Sequence, residues 1–200
     1  MRNLPVPGVF APRWQKKLQA FADDHRGIAA VEFAMIAIPF FLLIFGLLEV
    51  SVLFIMSSVL EHAANEASRQ IRTGQFQQAG HTDPSAQFRA NIESELFGLL
   101  DGSKVKIDVR TFDSFGNTTG NDSQGDSSAL AFDTTTGALD DSGFKMNAGA
   151  QNQIVVIRVF YEWELMIPGL SAPLQNMTGT AKPTRLIQST VAFRNEPFGS

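Results

Sequence analysis

Between residues 33 and 48 every position is apolar, glycine or proline, and this run constrains the chain more than anything else in it. Glu49 is the first charge, after which VSVLFIMSSVL carries the apolar pattern on to Leu60. The 28 residues from 33 to 60 amount to roughly 42 Å of helix at ~1.5 Å per residue, against a hydrocarbon core of about 30 Å. One membrane span fits, with length to spare. Pro39 is compatible with it, because a kinked membrane helix finds other partners for the freed carbonyl. A cleaved secretory signal fits less well. Its apolar core is about 7–15 residues long and ends at a small-residue cleavage site, and no good site of that kind follows Leu60.

Flanking charge gives the span a direction. Residues 1–27 hold five basic residues against two acidic ones, a balance of +3, so with a total of -4 the remainder carries -7. Within about 20 residues of the span, Arg13, Lys16, Lys17 and Arg26 lie before it and only Arg69 and Arg72 after it, which predicts a cytoplasmic N-terminal segment and an outward-facing body. An acidic body argues against a nucleic-acid partner. The chain has no cysteine, so disulfides, thiolate metal sites and cysteine nucleophiles are all excluded.

Past Leu60, EHAANEASRQIRTG keeps a helical rhythm, with Leu60, Ala63, Ala64, Ala67 and Ile71 on one stripe and Gly74 as the stop. A helix continuous over residues 28–73 is roughly 69 Å long. Its outer part must lie on something other than lipid, either another helix or the chain's own body. PSAQFRANIESELFGLLDG then predicts a second helix, with Phe88, Ile92, Leu96 and Leu99 or Leu100 recurring and Gly102 closing it. KVKIDVRTF alternates as a half-buried strand. QIVVIRVFYEWEL is a stronger one with Val155, Ile157, Val159, Tyr161 and Trp163 on one face, and TRLIQSTVAFRN is a third. Residues 113–153 are rich in Gly, Asn, Asp, Ser and Thr without periodicity, and read as a long solvated loop. Its acids are not spaced as a calcium loop requires.

The expected fold class is therefore α+β. A transmembrane helix (28–60) follows a basic leader (1–27) and extends over 61–74. It leads into an outer domain (75–200) with one further helix and an antiparallel sheet of about three strands. The three histidines lack any metal-ligand or protease spacing, and no nucleophile elbow, phosphate loop or dinucleotide fingerprint occurs. No enzyme, cofactor, metal site or small-molecule substrate is expected.

RGIAAVEF before the apolar run, AANEASRQIRTG after it and the terminal VAFRNEPF together resemble the TadE family of pilus-assembly proteins, pseudopilin-like components of tight-adherence (Flp) systems; the related TadF and TadG proteins begin similarly. The resemblance implies a pilin-like fold in the bacterial inner membrane, with a periplasmic domain. It also implies cutting by a prepilin peptidase after Gly27, which makes Ile28 the new N-terminus. Glu32 becomes the fifth residue of the mature chain, placed to pair with a neighbouring subunit's ammonium. Implied partners are the peptidase, a TadF-like minor pilin, the Flp pilin and the inner-membrane platform. The body is far larger than the very short major Flp pilin, and Glu49 is a polar residue inside the apolar run, so the resemblance favours a minor or assembly-priming component. The alternative is a single-pass envelope protein whose outer domain binds a ligand or a protein, with Glu32 merely interfacial.

Overall fold

The computed structural model describes residues 25–118, 120–167 and 171–198. Residues 1–24, and with them most of the expected basic leader, lie outside the described residues. Two compact units divide the chain at Phe45 and Gly46.

Helix α1, His25–Arg72, is unbroken through Pro39 and passes from the first unit into the second. In the first unit its side chains are nearly all exposed, Val31, Phe33, Ile36, Ile38, Phe40 and Leu43 among them. An apolar surface of this size is what a membrane-spanning helix presents. In the second unit the stripe read from the sequence is fully buried: Leu60, Ala63, Ala64, Ala67 and Ile71. The alanines let the helix backbone approach its neighbours closely. Gly74 ends the run in the left-handed region at φ 76°, its N–H donating to the Ile71 carbonyl. A Cβ there would also fall 2.2 Å from the Phe198 ring.

After the short helix α2, Gln75–Gln78, comes α3, Pro84–Ser94. It starts where local chemistry dictates: Asp83 accepts from the Ala86 amide at 3.0 Å and Pro84 occupies the first turn. It ends earlier than its apolar spacing suggests. Phe97 and Gly98 turn the chain with φ of 53° and 70°, yet Leu96 and Leu100 stay buried beside Phe88 and Ile92. The burial rhythm thus outlasts the helix. Gly102 does not cap α3; it opens a 3₁₀ turn and fits against the Glu93 side chain, which a Cβ would meet at 2.2 Å.

Three antiparallel strands follow, β1 (Lys106–Phe112), β4 (Ile154–Glu164) and β5 (Thr184–Arg194), with β4 in the centre. Between β1 and β4 lies a two-stranded ribbon of β2 (Ala131–Phe132) and β3 (Leu139–Asp140). One face of the large sheet presents Val109, Val155, Ile157, Val159, Tyr161 and Ile187 to the same core that holds the α1 stripe and α3. Period-2 alternation in β1 and β4 produces this face.

The other face carries Asp108, Arg110, Phe112, Ile154, Val156, Arg158 and Phe160, and it is covered too. Residues 113–153 do not stand off in solvent as their composition suggests. Residues 145–147 run beside β1, where Val109 donates to the Lys145 carbonyl (2.8 Å) and accepts from the Asn147 amide (2.9 Å). Phe144 packs on Phe160 with ring centroids 5.4 Å apart. The β2–β3 turn is closed by Asp133, whose carboxyl is held below the usual carboxylate range by the amides of Thr136 and Thr135. The ribbon is fastened to the sheet where the Leu139 amide donates to Glu162 at 2.9 Å and Lys106 donates to the Leu139 carbonyl. Polar loop composition is compatible with this packing because most of its polar groups find partners.

Candidate functional site

The residues singled out by the sequence fall into two places. Gly27, Ile28 and Glu32 sit in the first turns of α1, all exposed. Ideal helix geometry sets Glu32 one turn along from Ile28 on the same face. Nothing lies within 4 Å of the position a Gly27 Cβ would take. Among the described residues Glu32 has no hydrogen-bond or ion-pair partner. The helix that begins here is long and apolar enough to cross a membrane.

Residues 27–69 match the family of TadE-like proteins. The chain is TadE-like along this helix, and the match begins at the glycine of the RGIAAVEF motif. No curated protein and no solved structure matches the chain. The similarity to TadE-like proteins covers this helix alone, which is long and apolar enough to anchor the chain in a membrane.

Glu49 stands apart from the TadE-like motif's own carboxylate. It is only 2% exposed, and its Oε1 accepts from the amides of Met166 (2.6 Å) and Ile167 (3.3 Å), just past the end of β4. Its Oε2 is buried with no hydrogen-bond partner among the described residues. The acid that looked out of place in an apolar run is thus a main-chain acceptor for the β4–β5 connection. Sequence spacing carries no sign of this, since the partners are 117 and 118 residues away.

A second polar constellation escaped the sequence reading. Asp108 and Arg158 face each other across β1 and β4, and the Asp108 carboxylate accepts from Arg158 Nε (3.0 Å), from Arg158 Nη2, from Arg110 Nε (2.9 and 3.0 Å) and from the Lys145 amide (2.9 Å). Arg110 reaches on to Asp122 (3.2 Å) and to the carbonyls of Ser127 (2.7 Å) and Gly143 (2.6 Å). Asp122 in turn accepts from the amides of Gln124 and Asp126. Asp108, Arg110 and Asp122 are all buried. Asp122 and Asp126, two acids of this loop, are committed to Arg110 and Lys145. Among the described residues no cluster of His, Cys, Asp and Glu could hold a metal ion. Charge pairing here closes the segment 113–153 over the sheet. It leaves no free base or nucleophile in the cluster.

The one available signal was the alternation Asp108, Val109, Arg110, which puts both charges on the face away from the helices. Alternation alone reads that face as solvated. Only the cross-strand register with Arg158 and the long-range contacts to residues 122–145 reveal a buried network.

Proposed function

We propose that this protein is a minor pilin or pseudopilin that helps start or build a Flp-type pilus from the bacterial inner membrane. In this reading a prepilin peptidase cuts after Gly27 on the cytoplasmic side, and the outer unit, periplasmic and without catalytic activity, contacts other pilus components such as a TadF-like minor pilin, the Flp pilin and the inner-membrane platform. The observation that carries the proposal is the TadE-like match beginning at residue 27, where an unobstructed glycine precedes Ile28 and a carboxylate follows one turn later. Glycine leaves the scissile backbone open to a protease. Cleavage creates an ammonium group at Ile28, and a partnerless Glu32 near the membrane is costly enough to favour pairing with such a charge on an adjacent helix.

The test uses a strain with an active prepilin peptidase. Intact-mass measurement of the purified protein is expected to give a chain beginning at Ile28, and Gly27→Ala is expected to accumulate the uncut form. Glu32→Ala should be cut normally yet fail to support pilus assembly. A chain that keeps Met1 while other substrates of the same peptidase are processed would overturn the processing step, and piliation unaffected by Glu32→Ala would overturn the pairing role.

A further inference from the structure

We propose that the outer edge of β5, at Gln188, Thr190 and Ala192, is a docking site for an extended segment of another protein that carries acidic residues at its ends and adds to the sheet as a further strand. This goes beyond the pilus reading and uses only residues of the second unit.

β5 lies at one edge of the sheet and pairs with β4 residue for residue, from Thr184 opposite Glu164 to Arg194 opposite Ile154, without a bulge. The same register runs on at both ends, where the Leu165 amide donates to the Pro183 carbonyl (2.9 Å) and the Asn195 amide to that of Gln153 (2.8 Å). In an antiparallel pair the main chain turns toward its neighbour at alternate residues, so the odd-numbered residues of β5 face β4 and the even-numbered ones face outward. Leu186 obeys this: its amide and carbonyl are met from outside by the Asn176 side chain, at 2.7 and 3.1 Å. Among the described residues, and beyond the ladder to β4, no hydrogen bond reaches the main chain of Gln188, Thr190 or Ala192. All three are exposed. The opposite edge of the sheet differs, since residues 145–147 run along β1 at Val109.

Edge strands are ordinarily guarded by charge, proline or a bulge. LIQSTVAF, residues 186–193, has none of these, and Val191 and Phe193 pack on the core while staying half-exposed. Such an edge offers main-chain donors and acceptors at a spacing that another extended backbone matches, which is recognition by strand addition. Charge selects the strand. Arg185 and Arg194 bracket the uncharged run, and among the described residues their guanidinium groups donate only to the carbonyls of Leu174 (2.7 Å) and Asn152 (3.4 Å), so neither charge is neutralised. A partner with acids at its ends and none between is complementary in either direction. A second β5 is not: it holds no acid, and antiparallel pairing would gather one chain's Arg194 and the other's Arg185 at each end.

The test uses the full chain in detergent micelles and, as probe, a fluorescein-labelled synthetic strand of alternating valine and threonine with glutamate at both ends. Fluorescence anisotropy is expected to show it binding severalfold more tightly than its counterpart with lysine at both ends. Amide hydrogen exchange followed by NMR gives the position. Without the probe, the amides of Gln188, Thr190 and Ala192 should exchange much faster than those of Ser189 and Val191; with it, they should slow severalfold. Thr190→Pro removes an outward donor where an edge strand tolerates proline, and should abolish binding while leaving the melting temperature nearly unchanged. Should that variant not fold, N-methylation of the probe at alternate residues removes the matching bonds from the other side and is expected to abolish binding to the native chain. Absence of binding by either probe overturns the docking site, as does undiminished binding by folded Thr190→Pro or by the N-methylated probe. Equal binding of the glutamate and lysine probes overturns the acidic partner. Slow exchange at the even-numbered positions before any probe is added overturns the proposal as well, and protection that fades on dilution would make a second copy the occupant.

Discussion

Asp108 sits where both arginines of the buried network meet, and its position explains why its charge matters. Its two oxygens serve two guanidinium groups and the Lys145 amide, in a site sealed by residues 113–153. Buried charge pairs of this kind add little net stability when intact, because desolvation offsets much of the attraction. Removing one partner is different, since it leaves the others charged and dry. Asp108→Asn keeps the shape but strips the compensating charge from Arg110 and Arg158, and is expected to lower stability by about 3–5 kcal/mol. Chemical denaturation followed by near-ultraviolet circular dichroism in detergent micelles measures it; a loss under about 1 kcal/mol, the range of an exposed pair, would show that water reaches the cluster. None of this was visible in KVKIDVRTF, where the charges look like the wet side of a half-buried strand. Glu49 teaches the same lesson: its residue type was conspicuous, but its acceptor role depends on a strand end more than a hundred residues away.

At the level of elements, what the sequence made legible is what local periodicity controls. The stripe Leu60, Ala63, Ala64, Ala67 and Ile71 is buried as its spacing requires, and β1, β4 and β5 lie where alternation and β-branched residues put them. The end of α3 was not legible, because Phe97 and Gly98 adopt positive φ while the apolar spacing carries on past them. Nor was the packing of residues 113–153, which depends on side chains pairing across a face rather than along a segment. The alanine stripe makes its own testable demand. Ala64 is completely buried and sits in the core shared by α1, α3 and the sheet, so the helix approaches its neighbours to the distance a methyl group allows. Ala64→Leu is expected to destabilise the second unit by about 1–3 kcal/mol through overpacking, read as a lowered melting temperature. Glu61→Leu, on the exposed side of the same turn, adds comparable bulk and should change it little.

For the molecule as a whole, membrane anchoring rests on a sum that no single residue dominates. Residues 33–48 contain eleven Leu, Ile and Phe side chains, each contributing about 0.3–0.6 kcal/mol to insertion at the helix centre, for a total of about 3–7 kcal/mol. An arginine at mid-span costs about 2.5–3.5 kcal/mol on the same scale. Ile38 is exposed near the middle of the belt. Ile38→Arg should therefore weaken insertion without abolishing it, while Ile38→Arg with Leu42→Arg, one turn apart, should bring the balance to zero or beyond. Alkaline carbonate extraction of membranes separates the outcomes: the single variant is expected to stay mostly in the pellet and the double variant to move largely to the supernatant. If the double variant remained as firmly embedded as the native chain, the belt would not be the anchor, and membrane affinity would have to come from elsewhere in the chain.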